Sequence, residues 1–231
     1  MSEQTAQSVG IGDVFRYCAD LVRTQNKDRF LSSLFAPGDG RLFLFALYAF
    51  DIETSRVRDL VSDPMAGNIR LQWWHEAMDG LRAEEAAAHP VLTALMTATE
   101  VAGIDREPLA RAVEARQAEL YGSPPTAAAA AIFLMGARLL CGKDLKGADT
   151  LAPAAEDAGR AVTFAGDLDD PEAAREAYRA FVEKVPGLPK KALPAFLPMA
   201  LVPLWLAKGQ TSQFRRQLAL MRAAWFGFRK I

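Results

Sequence analysis

The sequence predicts an all-α protein, and three observations support this. Long stretches are rich in Ala, Leu, Arg and Glu, which are good helix formers. Apolar residues recur in these stretches at helical spacing, as in Val14, Tyr17, Cys18 and Leu21. No strand-like alternation bounded by turn pairs stands out, and neither does an internal repeat. We therefore expect a single domain over residues 1–231 with about eight to ten helices.

Turn-forming residues divide the chain into its expected helices. A first helical pattern covers Gly10 to Ser33, and the next helix runs from Asp39 or Gly40 to about Val61. Pro64 and Gly67 are expected to break the chain after it. Further helices are expected over Ile69 to Leu81, Val91 to Ala102, Pro108 to Leu120, Thr126 (as a cap) to about Leu140, and from about Pro153 onward.

The most apolar stretch, Leu193 to Ala207, is 15 residues long and contains Pro194, Pro198 and Pro203. A membrane-spanning helix needs about 20 apolar residues, and each proline removes a backbone hydrogen-bond donor. The sequence therefore predicts a buried, kinked segment here rather than a transmembrane span.

Residues 211–231 form the last expected helix, which is basic and amphipathic. Its large apolar residues share one face: Phe214, Leu218, Met221, Trp225 and Phe228. Three of its arginines lie seven residues apart along the edge of that face: Arg215, Arg222 and Arg229. A helix of this kind either lies in a membrane interface or closes the domain with its arginines in water.

Charge is distributed unevenly along the chain although the net charge is only −1. From Lys184 to Ile231 there are nine Lys or Arg and no Asp or Glu, so the first 183 residues hold 18 basic and 28 acidic side chains. This basic end predicts an anionic partner, either a membrane surface or an acidic protein, and the alternative is a solvated basic helix. No nucleic-acid partner is expected.

The compartment follows from cysteine usage and from the first residues. Cys18 and Cys141 have neither metal-ligand spacing nor a disulfide framework, and they fit a reducing compartment as buried thiols. The segment MSEQTAQSVG has no basic start and no apolar signal core. We expect a cytoplasmic protein that is not secreted, either free or peripheral to the inner membrane.

Five segments, in the same order, resemble the squalene/phytoene synthase family. They are DRFLSSLFAP, FALYAF, VSDPMAGNIRLQWWHEAM, EARQAELYG and PAFLPMALVPLWL. The DRF and RLQWW segments are similar to the branch of the family that contains the mitochondrial complex I assembly factor and its bacterial relatives. The resemblance implies the isoprenoid synthase fold, an all-α bundle whose enzymes condense two prenyl diphosphates head to head.

The resemblance also implies where metal chemistry would occur. In the family's enzymes two DxxxD motifs face each other across a central cavity, and magnesium ions neutralise the departing diphosphate. The first motif falls on SRVRD, where Ser55 replaces the first aspartate and Asp59 matches the second. The second motif keeps Asp170 but has Ala174 at its last position, in a stretch that is shortened. Asp59 and Asp170 are therefore the candidate metal ligands, and the alternative for Asp170 is a helix cap.

Other residues are candidates for a cavity or diphosphate site. Tyr48 matches a cavity-lining tyrosine of the family, and Glu76 matches an acidic position. Arg29 could bind an anion, or pair with Asp28 or Asp59. The candidate set is Arg29, Tyr48, Ser55, Asp59, Arg70, Trp74, Glu76 and Arg116. The alternatives are core packing for the aromatic residues and ordinary salt bridges for the arginines.

Two functions remain open from the sequence. The loss of one aspartate from each motif favours a non-catalytic member that needs no cofactor. Such a protein would act as an assembly factor or as a lipid- or prenyl-binding scaffold near the inner membrane. The alternative is an active prenyl diphosphate transferase that uses magnesium, although losing half of the ligands would weaken metal binding.

Overall fold

The computed structural model describes residues 10–143, 148–207 and 211–228, and these residues form helices and turns without any strand. The α-helices, in chain order, are α1 (Ile11–Gln25), α2 (Lys27–Ser33), α3 (Gly40–Ser55), α4 (Val57–Leu60), α5 (Pro64–Met78), α6 (Ala83–Ala88), α7 (Pro90–Ala102), α8 (Glu107–Glu119), α9 (Thr126–Cys141), α10 (Ala148–Gly166), α11 (Pro171–Lys184), α12 (Leu193–Phe196), α13 (Val202–Leu206) and α14 (Gln213–Phe226). Three short 3₁₀-helices lie between α11 and α13: Val185–Gly187, Lys190–Ala192 and Leu197–Leu201. The prediction of an all-α protein is confirmed.

The described part of the chain contains more helices than the expected eight to ten. Five of its 14 α-helices have seven residues or fewer, and the other nine have at least 13. Some of the extra segments come from the prolines of the stretch after Leu193, and others from bends that no proline or glycine marks. The helix that begins at Gly40 ends at Ser55 instead of near Val61, and a bend at Arg56 separates it from α4.

The start of α5 corrects the expected chain break. Pro64 occupies the first turn of the helix, where its fixed φ is favourable and its missing N–H costs nothing. The side chain of Asp63 caps this end by accepting a hydrogen bond from the backbone N–H of Met65. Gly67 lies inside the helix, where an added Cβ would come within 2.9 Å of the Leu120 methyl groups. Its small size therefore permits close packing.

α9 and α10 approach each other at Gly159. A Cβ at this position would lie 2.5 Å from the backbone N of Ala130 and 2.7 Å from the backbone O of Thr126. The two helix backbones therefore meet directly, which only glycine permits. α9 begins at Thr126 as expected, but the threonine makes no cap, since Pro125 occupies the capping position. α10 begins at Ala148, before Pro153.

α3 is the central helix of the core. Its residues are buried on every side from Phe43 to Ile52, and it packs against α1, α7 and α9. A helix that is apolar all round is expected in the interior of a bundle. Asp51 differs from its apolar neighbours, because it is a buried acidic side chain near the end of this stretch.

The apolar stretch from Leu193 to Ala207 is kinked, as predicted, because its prolines divide it into α12, a 3₁₀-helix and α13. Its middle part is buried, while Pro203 to Leu206 are half-buried and Ala207 is exposed. α14 packs on this segment with Leu220 and Ala223, against Leu197 and Leu201. In the described part of the chain, no helix combines the length and hydrophobicity that crossing a bilayer requires.

The apolar face predicted for the last helix does not pack as one unit. Phe214, Leu218, Met221 and Trp225 are exposed, with Trp225 at 78%. Phe228 instead packs inward, edge-on to Phe181 at a centroid distance of 5.1 Å. Arg215 and Arg222 are exposed beside the outward face. Arg229, the third predicted arginine, lies outside the described residues.

Candidate functional site

Asp51 is held by two arginines from other helices. Arg29 of α2 donates from Nη1 to one carboxylate oxygen of Asp51, and Arg116 of α8 donates from Nη2 to the other at 2.6 Å. Asn26 caps α2 and fixes its first turn by accepting a hydrogen bond from the backbone N–H of Arg29. Each oxygen of the buried carboxylate therefore has a cationic donor.

Glu119 extends this arrangement. Arg116 donates from Nη1 to both carboxylate oxygens of Glu119, each at 2.9 Å. The guanidinium of Arg29 lies 4.9 Å from the centre of the Tyr48 ring, a favourable cation–π distance. We call Arg29, Asp51, Arg116 and Glu119 the charged cluster; its two positive and two negative charges balance.

The arginines decide the ionisation of Asp51. Burial alone opposes its charged form, but Arg29 and Arg116 outweigh this effect and lower the pKa of Asp51 to about 2. Burial raises the pKa of Glu119, with Arg116 opposing it. Burial also raises the pKa of Tyr48 to about 12, so its hydroxyl stays protonated.

We predict that the Asp51 carboxyl titrates near pH 2. Since the folded pKa lies below the unfolded value of about 4, its contribution to stability is complete above pH 4 and is lost as the pH falls toward 2. The measurement is a carboxyl ¹³C NMR titration of the folded protein. Titration near pH 4 would show that the arginines do not engage the carboxylate.

A cleft of about 270 Å³ opens beside the charged cluster. Its polar wall consists of Asn26, Asp28, Arg29, Arg116, Thr163 and Asp167. The apolar remainder consists of Pro125, Ala129, Phe133, Val162, Gly166, Pro198, Leu201 and Trp205. The cleft is thus formed by α8, α9 and α10 with α2 and the kinked segment, and it is open to solvent at Gly166 and Asp167.

Three residues of the polar wall carry buried atoms without a hydrogen-bond partner in the described structure. These atoms are Asp28 Oδ1, Arg116 Nε and Thr163 Oγ1. Thr163 is only 1% exposed. Asp28 uses its other oxygen to pair with Arg216 of α14, at 3.3 Å. Because buried polar groups are nearly always hydrogen-bonded, these atoms are positions where a water molecule or a ligand can bind.

The structure brings three of the predicted site residues to this place. Arg29 and Arg116 line the cleft, and Tyr48 is buried beneath Arg29. The partner of Arg29 is Asp51, which corrects the expected pairing with Asp28 or Asp59.

The other candidates lie elsewhere. Ser55 is half-buried and donates to its own helix, at Ile52 O. Trp74 packs edge-on against Phe50 at 5.3 Å, as a core residue. None of the remaining five candidates lines the cleft: Ser55, Asp59, Arg70, Trp74 and Glu76. Arg70 is exposed, and Glu76 accepts a hydrogen bond from Arg82 at 2.8 Å.

The predicted metal ligands are not arranged as a magnesium site. The Asp59 side chain is 72% exposed beside Arg58. Asp170 caps α11 by accepting a hydrogen bond from Ala173 N at 3.1 Å, which is the alternative role that the sequence left open. Magnesium requires near-octahedral oxygen ligation. Over the described ranges, no group of three or more His, Cys, Asp or Glu could hold a metal.

Sequence analysis missed the residue at the centre of the site. Asp51 is the only charged residue between Arg41 and Glu53, in a stretch whose apolar residues cover the whole helix. An acidic residue in such a helix is buried and requires a cationic partner. This signal was available in the sequence. The identity of its partners could not be read from the sequence, because Arg29 and Arg116 lie 22 and 65 residues from Asp51 along the chain.

The helical bundle agrees with one class of proteins. Residues 22–166 match the Squalene/phytoene synthase family, and the chain belongs to that family. The curated relatives include NADH dehydrogenase (ubiquinone) complex I, assembly factor 6, from cattle (28% identical) and from humans (29% identical). Each alignment covers 119 residues, which is 52% of this chain and 36% of the relative. The chain thus matches about a third of the length of these relatives, and the predicted branch of the family is confirmed.

A solved structure shows the same fold. A crystal structure of a dehydrosqualene synthase in complex with ligand superposes with a TM-score of 0.68, covering 92% of this chain and 95% of that one. The two chains are 15% identical, so the likeness shows the architecture alone. The prediction of an isoprenoid synthase-like bundle is confirmed.

Proposed function

We propose that this protein is a non-catalytic member of the squalene/phytoene synthase family that acts as an assembly factor at the inner membrane, with a cleft that holds a prenyl lipid. One observation carries the proposal: the two arginines at the cleft are already bound to carboxylates of the chain itself. Guanidinium groups engaged in this way are not available to stabilise a departing diphosphate.

The positions of the aspartate motifs support the same conclusion. Ser55 bonds to its own helix, Asp59 is exposed, and Asp170 caps α11. The assembly role is supported by similarity to the complex I assembly factors, which covers half of this chain. On this basis the partner is a protein of the respiratory NADH dehydrogenase, and no cofactor is needed.

Incubation with farnesyl diphosphate and magnesium tests the absence of catalysis. We expect no release of diphosphate above a control without protein, because Asp59 is exposed and Asp170 is engaged as the cap of α11. Magnesium-dependent release that is abolished by Asp59→Ala would contradict the proposal and support an active prenyltransferase.

The outward face of α14 supports attachment to a membrane surface. Phe214, Leu218 and Trp225 are exposed, and Arg215 and Arg222 lie beside them. Apolar side chains flanked by arginines insert into the interface while the arginines attract anionic headgroups. We therefore propose that α14 binds the inner membrane peripherally.

The double variant Leu218→Ser/Trp225→Ser should weaken binding to phosphatidylglycerol-containing vesicles at least tenfold, because burial of large apolar side chains provides the attachment. The measurement is vesicle sedimentation. The matched control is Leu81→Ser, since Leu81 is 76% exposed in a turn far along the chain from α14. Equal sedimentation of the wild type and the double variant, or no sedimentation of the wild type, would rule out this attachment.

A further inference from the structure

The charges around the cleft cancel. The positive charges of two arginines in the polar wall, Arg29 and Arg116, are balanced by the negative charges of two aspartates, Asp28 and Asp167. Behind the wall, Asp51 and Glu119 add two negative charges, and Arg216 adds one positive charge beside Asp28. The immediate surroundings therefore carry no excess positive charge, and a multiply negative diphosphate would gain no net electrostatic attraction there.

The unpaired atoms of the polar wall form a complementary set. Arg116 Nε is a donor, Asp28 Oδ1 is an acceptor, and Thr163 Oγ1 can act as either. A ligand hydroxyl has one proton to donate and two lone pairs to accept with. One hydroxyl can therefore satisfy all three kinds of group without bringing a charge into the interior, where charge is costly.

The rest of the cleft suits an unsaturated hydrocarbon chain. Phe133, Val162, Leu201 and Trp205 provide apolar and aromatic surface beside the polar wall. The volume of about 270 Å³ is just below the range of about 300–1,000 Å³ that is usual for small-molecule sites. The ligand, or the part of it that enters, is therefore short.

We infer that the cleft binds an uncharged isoprenoid alcohol, whose hydroxyl lies against Asp28, Arg116 and Thr163, and that it rejects the corresponding diphosphate. The inference rests on the proposed function, since it names the class of lipid that a non-catalytic cleft would hold. It does not depend on the proposed membrane attachment of α14 or on a protein partner.

Isothermal titration calorimetry with geraniol and geranyl diphosphate tests the inference, because the two probes share one hydrocarbon chain. Geraniol should bind saturably, and at least tenfold more tightly than geranyl diphosphate. Geranyl methyl ether, which cannot donate to Asp28, should bind about tenfold more weakly than geraniol. This comparison needs no variant protein.

Thr163→Val keeps the shape of the side chain and removes its hydroxyl, and it should weaken geraniol binding about tenfold. The control is Thr99→Val, since Thr99 is also 1% exposed but donates to Met96 O at 2.8 Å and does not line the cleft. It should leave geraniol binding unchanged.

Three results would overturn the inference: tighter binding of geranyl diphosphate than of geraniol, no binding of geraniol, or equal geraniol affinity in wild type and Thr163→Val. Preference for geranyl diphosphate without its turnover would overturn the inference alone. Release of diphosphate with magnesium would overturn the proposed function itself, so the two failures are distinguishable.

Discussion

Asp51→Asn should lower the free energy of unfolding by about 3–5 kcal/mol, because it leaves two largely buried guanidinium groups without their shared counter-charge. The side chain of Asp51 is 6% exposed, and those of Arg29 and Arg116 are 21% and 11% exposed. Water therefore cannot replace the lost carboxylate effectively. The measurement is equilibrium unfolding in urea, monitored by circular dichroism.

The matched control for this variant is Asp20→Asn. Asp20 also pairs with an arginine, Arg23 at 2.8 Å, but both side chains are more than half exposed. Exposed pairs contribute about 0–1 kcal/mol, so this variant should remain close to wild type. If Asp51→Asn cost no more than Asp20→Asn, the charged cluster would not stabilise the fold.

Gly159→Ala should cost about 3 kcal/mol, at the upper end of the usual range for overpacking, because the added methyl meets backbone atoms. Its Cβ would lie 2.5 Å from Ala130 N and 2.7 Å from Thr126 O, and neither can move without shifting α9. The same urea experiment measures the loss. Thr163 follows Gly159 by one turn on α10, so we also expect weaker ligand binding in the cleft.

Gly166→Ala is the control on the same helix. No atom lies within 4 Å of the Cβ that it adds. Replacing a helical glycine without strain stabilises a protein by about 0.4–1 kcal/mol, so this variant should be neutral or slightly more stable. If Gly159→Ala were no less stable than Gly166→Ala, the contact between α9 and α10 would not resist the added methyl group.

The helical bundle could be predicted because helix formation depends on local patterns. α7 and α8 begin and end within one residue of the predicted limits, since proline and glycine mark their ends. The bend at Arg56 could not be predicted, as no turn-forming residue occurs there. The periodicity of the α14 sequence predicted an apolar face, but it could not show whether that face points toward the core or toward solvent. Leu220 and Ala223 pack inward because they meet the kinked segment, which is a tertiary contact.

The candidate site was predictable only in part. Of the predicted residues, Arg29 and Arg116 line the cleft, while Trp74 and Glu76 lie in other surroundings. The deciding feature is that both arginines share Asp51. A contact between helices that are far apart in sequence cannot be predicted from local residue spacing. A buried acidic residue indicates only that some cationic partner exists.

Titration of the wild-type protein with inorganic diphosphate and magnesium tests the central claim most directly, namely that the arginines of the cleft are neutralised by the chain itself. We predict no saturable binding in calorimetry, because Asp51 and Glu119 already neutralise the charge of both guanidinium groups. Saturable binding that is lost in Arg116→Gln would contradict the claim.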